Sequence, residues 1–167
     1  MPIDRLSISA LETRYDMLED QLNAKELEKI MAPFGDQTRI QQYIDVVIVP
    51  ELRKLKQRYL EALASGTTLE SLSEKQATVI VGEIVEELTI AKSDAIQPEV
   101  AALMEQVLAK LNEPENVVLR LKLGVKLPFE VFEAGAELEG DAVELWKKHC
   151  PTFESWRQKA KKLFPPA

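Results

Sequence analysis

The 167-residue sequence holds one cysteine, one histidine and six glycines. A single cysteine closes no disulfide within the chain and builds no cysteine-based zinc cage, so a reducing compartment is the default expectation. A single histidine leaves no metal site built from two or three imidazoles. Six scattered glycines supply no phosphate-cradling loop. No Gly-x-Ser-x-Gly elbow and no His-Glu-x-x-His helix is present. Long apolar runs are missing too: Val46-Val47-Ile48-Val49 ends at Pro50, and no stretch approaches the roughly 20 apolar residues that cross a bilayer. Asp4 and Arg5 precede any apolar run, unlike a signal peptide. These absences predict a soluble, cytoplasmic, non-catalytic protein with no cofactor and no metal.

What is present is charge, unevenly spread. Acids outnumber bases 28 to 21, a net charge of −7 that disfavours nucleic acid as a partner. From Leu145 onward there are six bases and one acid, so the tail carries +5 and the preceding residues −12. The tail also holds both tryptophans, Trp146 and Trp156, with Phe153 and Phe164. A basic segment rich in Trp and Phe suits an anionic membrane surface, a nucleic acid or an acidic partner, so net charge disfavours nucleic acid less for this tail than for the rest. It equally suits folding back onto an acidic body.

The length fits a single domain over 1–167. Ser9 with Glu12 reads as a capping box that opens a helix. Leu11, Tyr15, Leu18 and Leu22 then recur at spacings of four, three and four, a narrow coiled-coil-like stripe. The phase slips at Asn23, where Leu27, Ile30 and Met31 continue one position late. Pro33-Phe34-Gly35 makes a tight turn, and Asp36 reads as the cap of a second helix, bent or broken at Pro50, giving a helical hairpin over 9–64.

Residues 67–112 read as further helices, opened by Thr67 with Glu70, by Ser73 with Gln76 and by Pro98. Gly82 inside one of them suggests a neighbouring helix passing close by. Over 117–127, apolar Val117, Leu119, Leu121, Leu123, Val125 and Leu127 alternate with mostly polar residues, a strand-like period of two. Acidic alternation from Phe132 to Glu139 supplies a second strand, so a β-hairpin is predicted over 117–139. Short basic helices follow over 141–164. The expected fold is mainly α: an antiparallel bundle of about six helices with one C-terminal β-hairpin.

Chemistry-bearing residues are few. His149-Cys150 is the one place where a base and a nucleophile adjoin, but neighbours in sequence rarely aim side chains at each other. Glu83, Glu86 and Glu87 on one helix, and Glu133, Glu137 and Glu139 further on, read as solvated acidic faces. A carboxylate-based enzyme is the remaining catalytic alternative.

Two segments carry a family resemblance. One is the hairpin with Leu11, Tyr15, Leu18 and Leu22, then Asp36-Gln37, Leu52, Leu55 and Tyr59. The other is Leu119 through Trp146, read as a Leu-Arg-Leu-Lys-Leu strand, a Leu-Pro-Phe turn, an acidic strand and a short Trp-bearing helix. Together, over about half the chain, they resemble the helical effector-associated domains at the front of bacterial NACHT-type signalling ATPases, common in cyanobacteria. The resemblance implies an adaptor or oligomerisation domain and carries over no functional residues. The expected function is therefore protein–protein interaction or self-association. Leu11, Tyr15, Leu18 and Leu22 form one candidate face, and Trp156, Arg157, Lys161, Lys162 and Phe164 a second. Peripheral membrane binding through 152–164 is the alternative.

Overall fold

The computed structural model describes residues 7–94, 98–134, 144 and 146–163. The chain divides into two compact units, Met1–Gly66 and Thr67–Ala167. Among the described residues every regular element is helical, and no helix is long and apolar enough to cross a membrane.

In the first unit, α1 (Ile8–Met31) lies against α2 (Phe34–Tyr43), a π-helical turn (Ile44–Ile48) and α3 (Val49–Gly66). The cap of α1 is Ser7, whose hydroxyl accepts from Ala10 N at 3.2 Å, so the expected Ser9 cap lies inside the helix. Likewise α2 starts at Phe34, after Pro33, and Asp36 sits in its first turn 3.5 Å from Arg39. Pro50 does not break the second helix. Lacking an N–H, it cannot donate to the preceding turn. The backbone accommodates it by widening the turn just before it, where Val49 N bonds back to Ile44 O across five residues. That wide turn keeps Ile44 and Ile48 buried beside Ile40, with Leu22, Ala32 and Val49 packed around them. Nearer the start of α1, Leu11 and Tyr15 are buried, and the Tyr15 ring stacks on Tyr59 at 6.1 Å.

In the second unit, a 3-10 turn (Leu69–Ser71) precedes α4 (Glu74–Asp94), α5 (Pro98–Leu111), α6 (Val117–Ala134) and α7 (Pro151–Leu163). The Ser73–Gln76 capping box forms as its spacing predicts: Gln76 N donates to Ser73 Oγ at 3.1 Å, and Ser73 N to Gln76 Oε1 at 3.0 Å. Helix α4 packs against α5, α6 and α7, burying Ala77, Ile80, Val81, Ile84, Leu88 and Ala91. Gly82 faces open solvent instead of a close neighbour.

The first predicted strand is α6. Val117, Leu121 and Val125 recur every four residues and are buried with Gly124 and Pro128, whereas Leu119 is exposed. A sequence that alternates every second residue also repeats every fourth, which is what a helix face needs. Asn116 settles the choice locally, its Oδ1 accepting from Val118 N at 2.8 Å as a helix cap does. The helix runs past Pro128 to Ala134, so the expected hairpin is contradicted over 117–134, and residues 135–139 lie outside the described residues. The close helix–helix approach occurs at Gly124, where a Cβ would stand 2.7 Å from Leu111 Cδ2.

Candidate functional site

Two constellations stand out, one in each unit. In the first, the inner stripe of α1 continues its four-three rhythm from Leu22 into Lys25 and Lys29 rather than into apolar residues. Because the helix runs unbroken through Asn23, the slipped residues do not return to the inner face. At about 100° per residue, Leu27 and Met31 fall about 180° from the Leu11–Leu22 stripe. Leu27 is 59% exposed, Ile30 76%, Met31 79%, and Phe34, just past the turn, 89%. Met17 lies on the same outer side of α1 and is also exposed. The lysines take the inner positions: Lys29 Nζ donates to Gln41 Oε1 at 2.6 Å, and Lys25 Nζ lies 5.2 Å from the centre of the Tyr43 ring. This end of the hairpin thus has cations inside and hydrocarbon outside. The π-helical turn adds exposed Val46 and Val47.

In the second unit, the carboxylate of Glu87 on α4 is turned inward, not solvated. It caps α7 from outside that helix, with Oε1 accepting from Thr152 N at 3.2 Å and Oε2 from Phe153 N at 3.3 Å. Burial pushes the Glu87 carboxyl above its ordinary range, and the charge of Glu83 adds to the rise. Cys150 is fully buried beside it, and burial, with the charges of Glu87 and Glu154, pushes its thiol up to about 12. A thiol in that state is inert as a nucleophile at neutral pH. His149 is half-buried.

One turn on, Glu154 takes a two-pronged hydrogen bond from Arg157, with Nε at 2.8 Å and Nη2 at 2.9 Å, and a third from Gln158 at 2.8 Å. Burial alone would raise the Glu154 carboxyl, but these bonds and the charges of Arg157 and Lys147 hold it below the usual range. Arg157 also lies over the Trp146 ring at 5.3 Å, and Trp146 meets Phe153 edge to face at 5.1 Å. Among the described residues, no three His, Cys, Asp or Glu side chains gather as metal ligands would.

The sequence-predicted residues are distributed as follows. Leu11 and Tyr15 are buried within the first unit, and Leu18 and Leu22 are half-buried. Trp156 and Arg157 are buried within the second, with Lys159 reaching over the Trp156 ring and donating to the Thr67 carbonyl. Lys161 and Lys162 belong to the last turn of α7, but their side chains lie outside the described residues, as does all of Phe164. Sequence reasoning passed over Leu27, Ile30, Met31 and Phe34 as an exposed group. Their signal is the phase slip itself, read together with Lys25 and Lys29 on the uninterrupted heptad. Comparison with protein-family models, curated proteins and solved structures found no match.

Proposed function

We propose that this chain is a non-catalytic protein–protein interaction module whose contact face is the outer side of α1 and the tip of its hairpin. The observation that carries the proposal is the inversion at residues 25–34, where lysines face the neighbouring helix while Leu27, Ile30, Met31 and Phe34 face solvent. Single exposed apolar residues are ordinary on protein surfaces. A group of four large ones at one end of a helical pair, with polar residues behind them, favours a surface that is covered in use. The adaptor role implied by the resemblance to effector-associated domains belongs to the same class of function. Of the nine residues named from the sequence for contact, Leu11, Tyr15, Trp156 and Arg157 are buried, which favours a packing role for those four. With Phe153 and Trp156 inside the second unit, the membrane reading of 152–164 loses two of its apolar anchors.

The test compares proteins retained from the native cell by the immobilised chain and by its Leu27→Asp/Met31→Gln variant. The proposal expects a discrete partner held by the first and lost by the second. Identical retained proteins would contradict it.

A further inference from the structure

We propose that the outer face of α1 docks a basic amphipathic helix of another protein, an inference that rests on reading this face as an interaction surface. Met17, Asp20, Ala24, Leu27 and Met31 follow one another at spacings of three, four, three and four. That is the rhythm of a coiled-coil seam, and it fits a helix laid alongside. The seam spans about 21 Å at 1.5 Å per residue. Ala24 at its centre admits a close approach, and the methionines at its ends adapt their shape to what they meet.

The charges of α1 select the partner. On the helical wheel, Asp16, Asp20 and Glu28 lie within about 60° of the seam's centre, whereas Arg14, Lys25 and Lys29 lie about 100° or more away, on the inner half. The charges nearest the seam are therefore all acidic. On one flank Glu28 accepts from Lys25 Nζ at 3.0 Å, and Asp20 is exposed within the seam itself. A second copy of α1 would set its Asp20 near acids and offer it no base, since the one exposed base flanking the seam, Arg14, lies before its first residue. An anionic bilayer would be repelled in the same way. A helix with an apolar stripe, flanking lysines or arginines and one base opposite Asp20 satisfies both the hydrocarbon and the charge.

The probe is a synthetic three-heptad helical peptide with leucine at the a and d positions, except for one lysine at the position that faces Asp20, and lysine at e and g. It is compared with a twin bearing glutamate at e, g and that one position. Fluorescence anisotropy with the full chain should show at least tenfold tighter binding of the lysine peptide. Leu27→Asp should weaken that binding at least tenfold, although it adds an attractive charge, and Asp20→Lys should reverse the preference between the twins. Circular dichroism of both variants should match the parent, since both positions are exposed. Equal binding of the twins, no binding of the lysine peptide, or tighter binding by Leu27→Asp would overturn the inference. Self-association lost on Leu27→Asp in sedimentation would overturn it too, by making a second copy the occupant. If the lysine peptide fails while Leu27→Asp/Met31→Gln still loses a captured protein, the interaction module stands and only this partner chemistry falls.

Discussion

Lys29 on the inner face of α1 donates its ammonium to Gln41 Oε1 on α2 at 2.6 Å, while Met31, two residues further on, is turned to solvent. In a helix stabilised chiefly by burying its apolar stripe, these two residue types would trade places. The end of α1 beyond Leu22 thus turns Lys25 and Lys29 toward α2, while Leu22 still packs on the Ile40, Ile44 and Ile48 cluster and Leu11 and Tyr15 are buried nearer the helix start. The outer apolar residues contribute little to folding, and that separates contact from stability.

Replacing Leu27 with Asp and Met31 with Gln is therefore expected to change the unfolding free energy by no more than about 0.5 kcal/mol, the usual range for surface positions. Tyr15→Ala, which removes a buried ring stacked on Tyr59, is expected to lose about 2–4 kcal/mol. Urea denaturation of the three proteins checks the contrast. Comparable losses at both places would assign the outer stripe to the fold.

Glu87 stitches α4 to the start of α7. Glu87→Ala leaves the Thr152 and Phe153 amides without their acceptor and should destabilise the chain by about 1–3 kcal/mol. Its pH dependence has a definite sign. The folded chain holds the Glu87 proton more tightly than the unfolded chain does, so the stability from protonation is fully present in acid. It is lost as pH rises from near 4.5 through the raised folded value. Measured by denaturant melts, the stability of the parent relative to Glu87→Gln should increase as pH is lowered from 7 to 4. A flat or opposite trend would remove this role.

The Cys150 thiol, fully buried and pushed up to about 12, should react with a thiol reagent at pH 8 on the order of 1,000-fold more slowly in the native chain than in denaturant. Fast native labelling would place it at the surface.

Two glycines in helices should respond in opposite directions. Gly82 faces open solvent, so Gly82→Ala should stabilise by about 0.5–1 kcal/mol through the lower conformational freedom of the unfolded chain. At Gly124 the new Cβ would collide with buried Leu111, and Gly124→Ala should destabilise by about 1–3 kcal/mol. Thermal melts of the two variants read both signs.

The helical hairpin, the α4 capping box and the start of α5 at Pro98 are legible in the sequence because each carries a local chemical signal. Residues 117–127 read as a strand because period two contains period four, and only the Asn116 cap distinguishes the two locally. Pro50 reads as a bend or a break, since a sequence pattern does not reveal that one widened turn can absorb a proline. The Glu87 cap is invisible: residues 87 and 152 are far apart in sequence, and nothing in either neighbourhood announces the other. For the candidate surface the letters are sufficient. Lys25 and Lys29 occupy the heptad positions that Leu18 and Leu22 begin, and a rigid helix then leaves Leu27 and Met31 on the opposite side.

The most direct measurement places a photo-crosslinking residue at Met31 and, in a second chain, at exposed Lys54 on α3, with both produced in the native cell. The account predicts a discrete crosslinked protein at position 31 that disappears when Leu27→Asp is added, and none at position 54. The same crosslinks at both positions, or none at position 31, would contradict it.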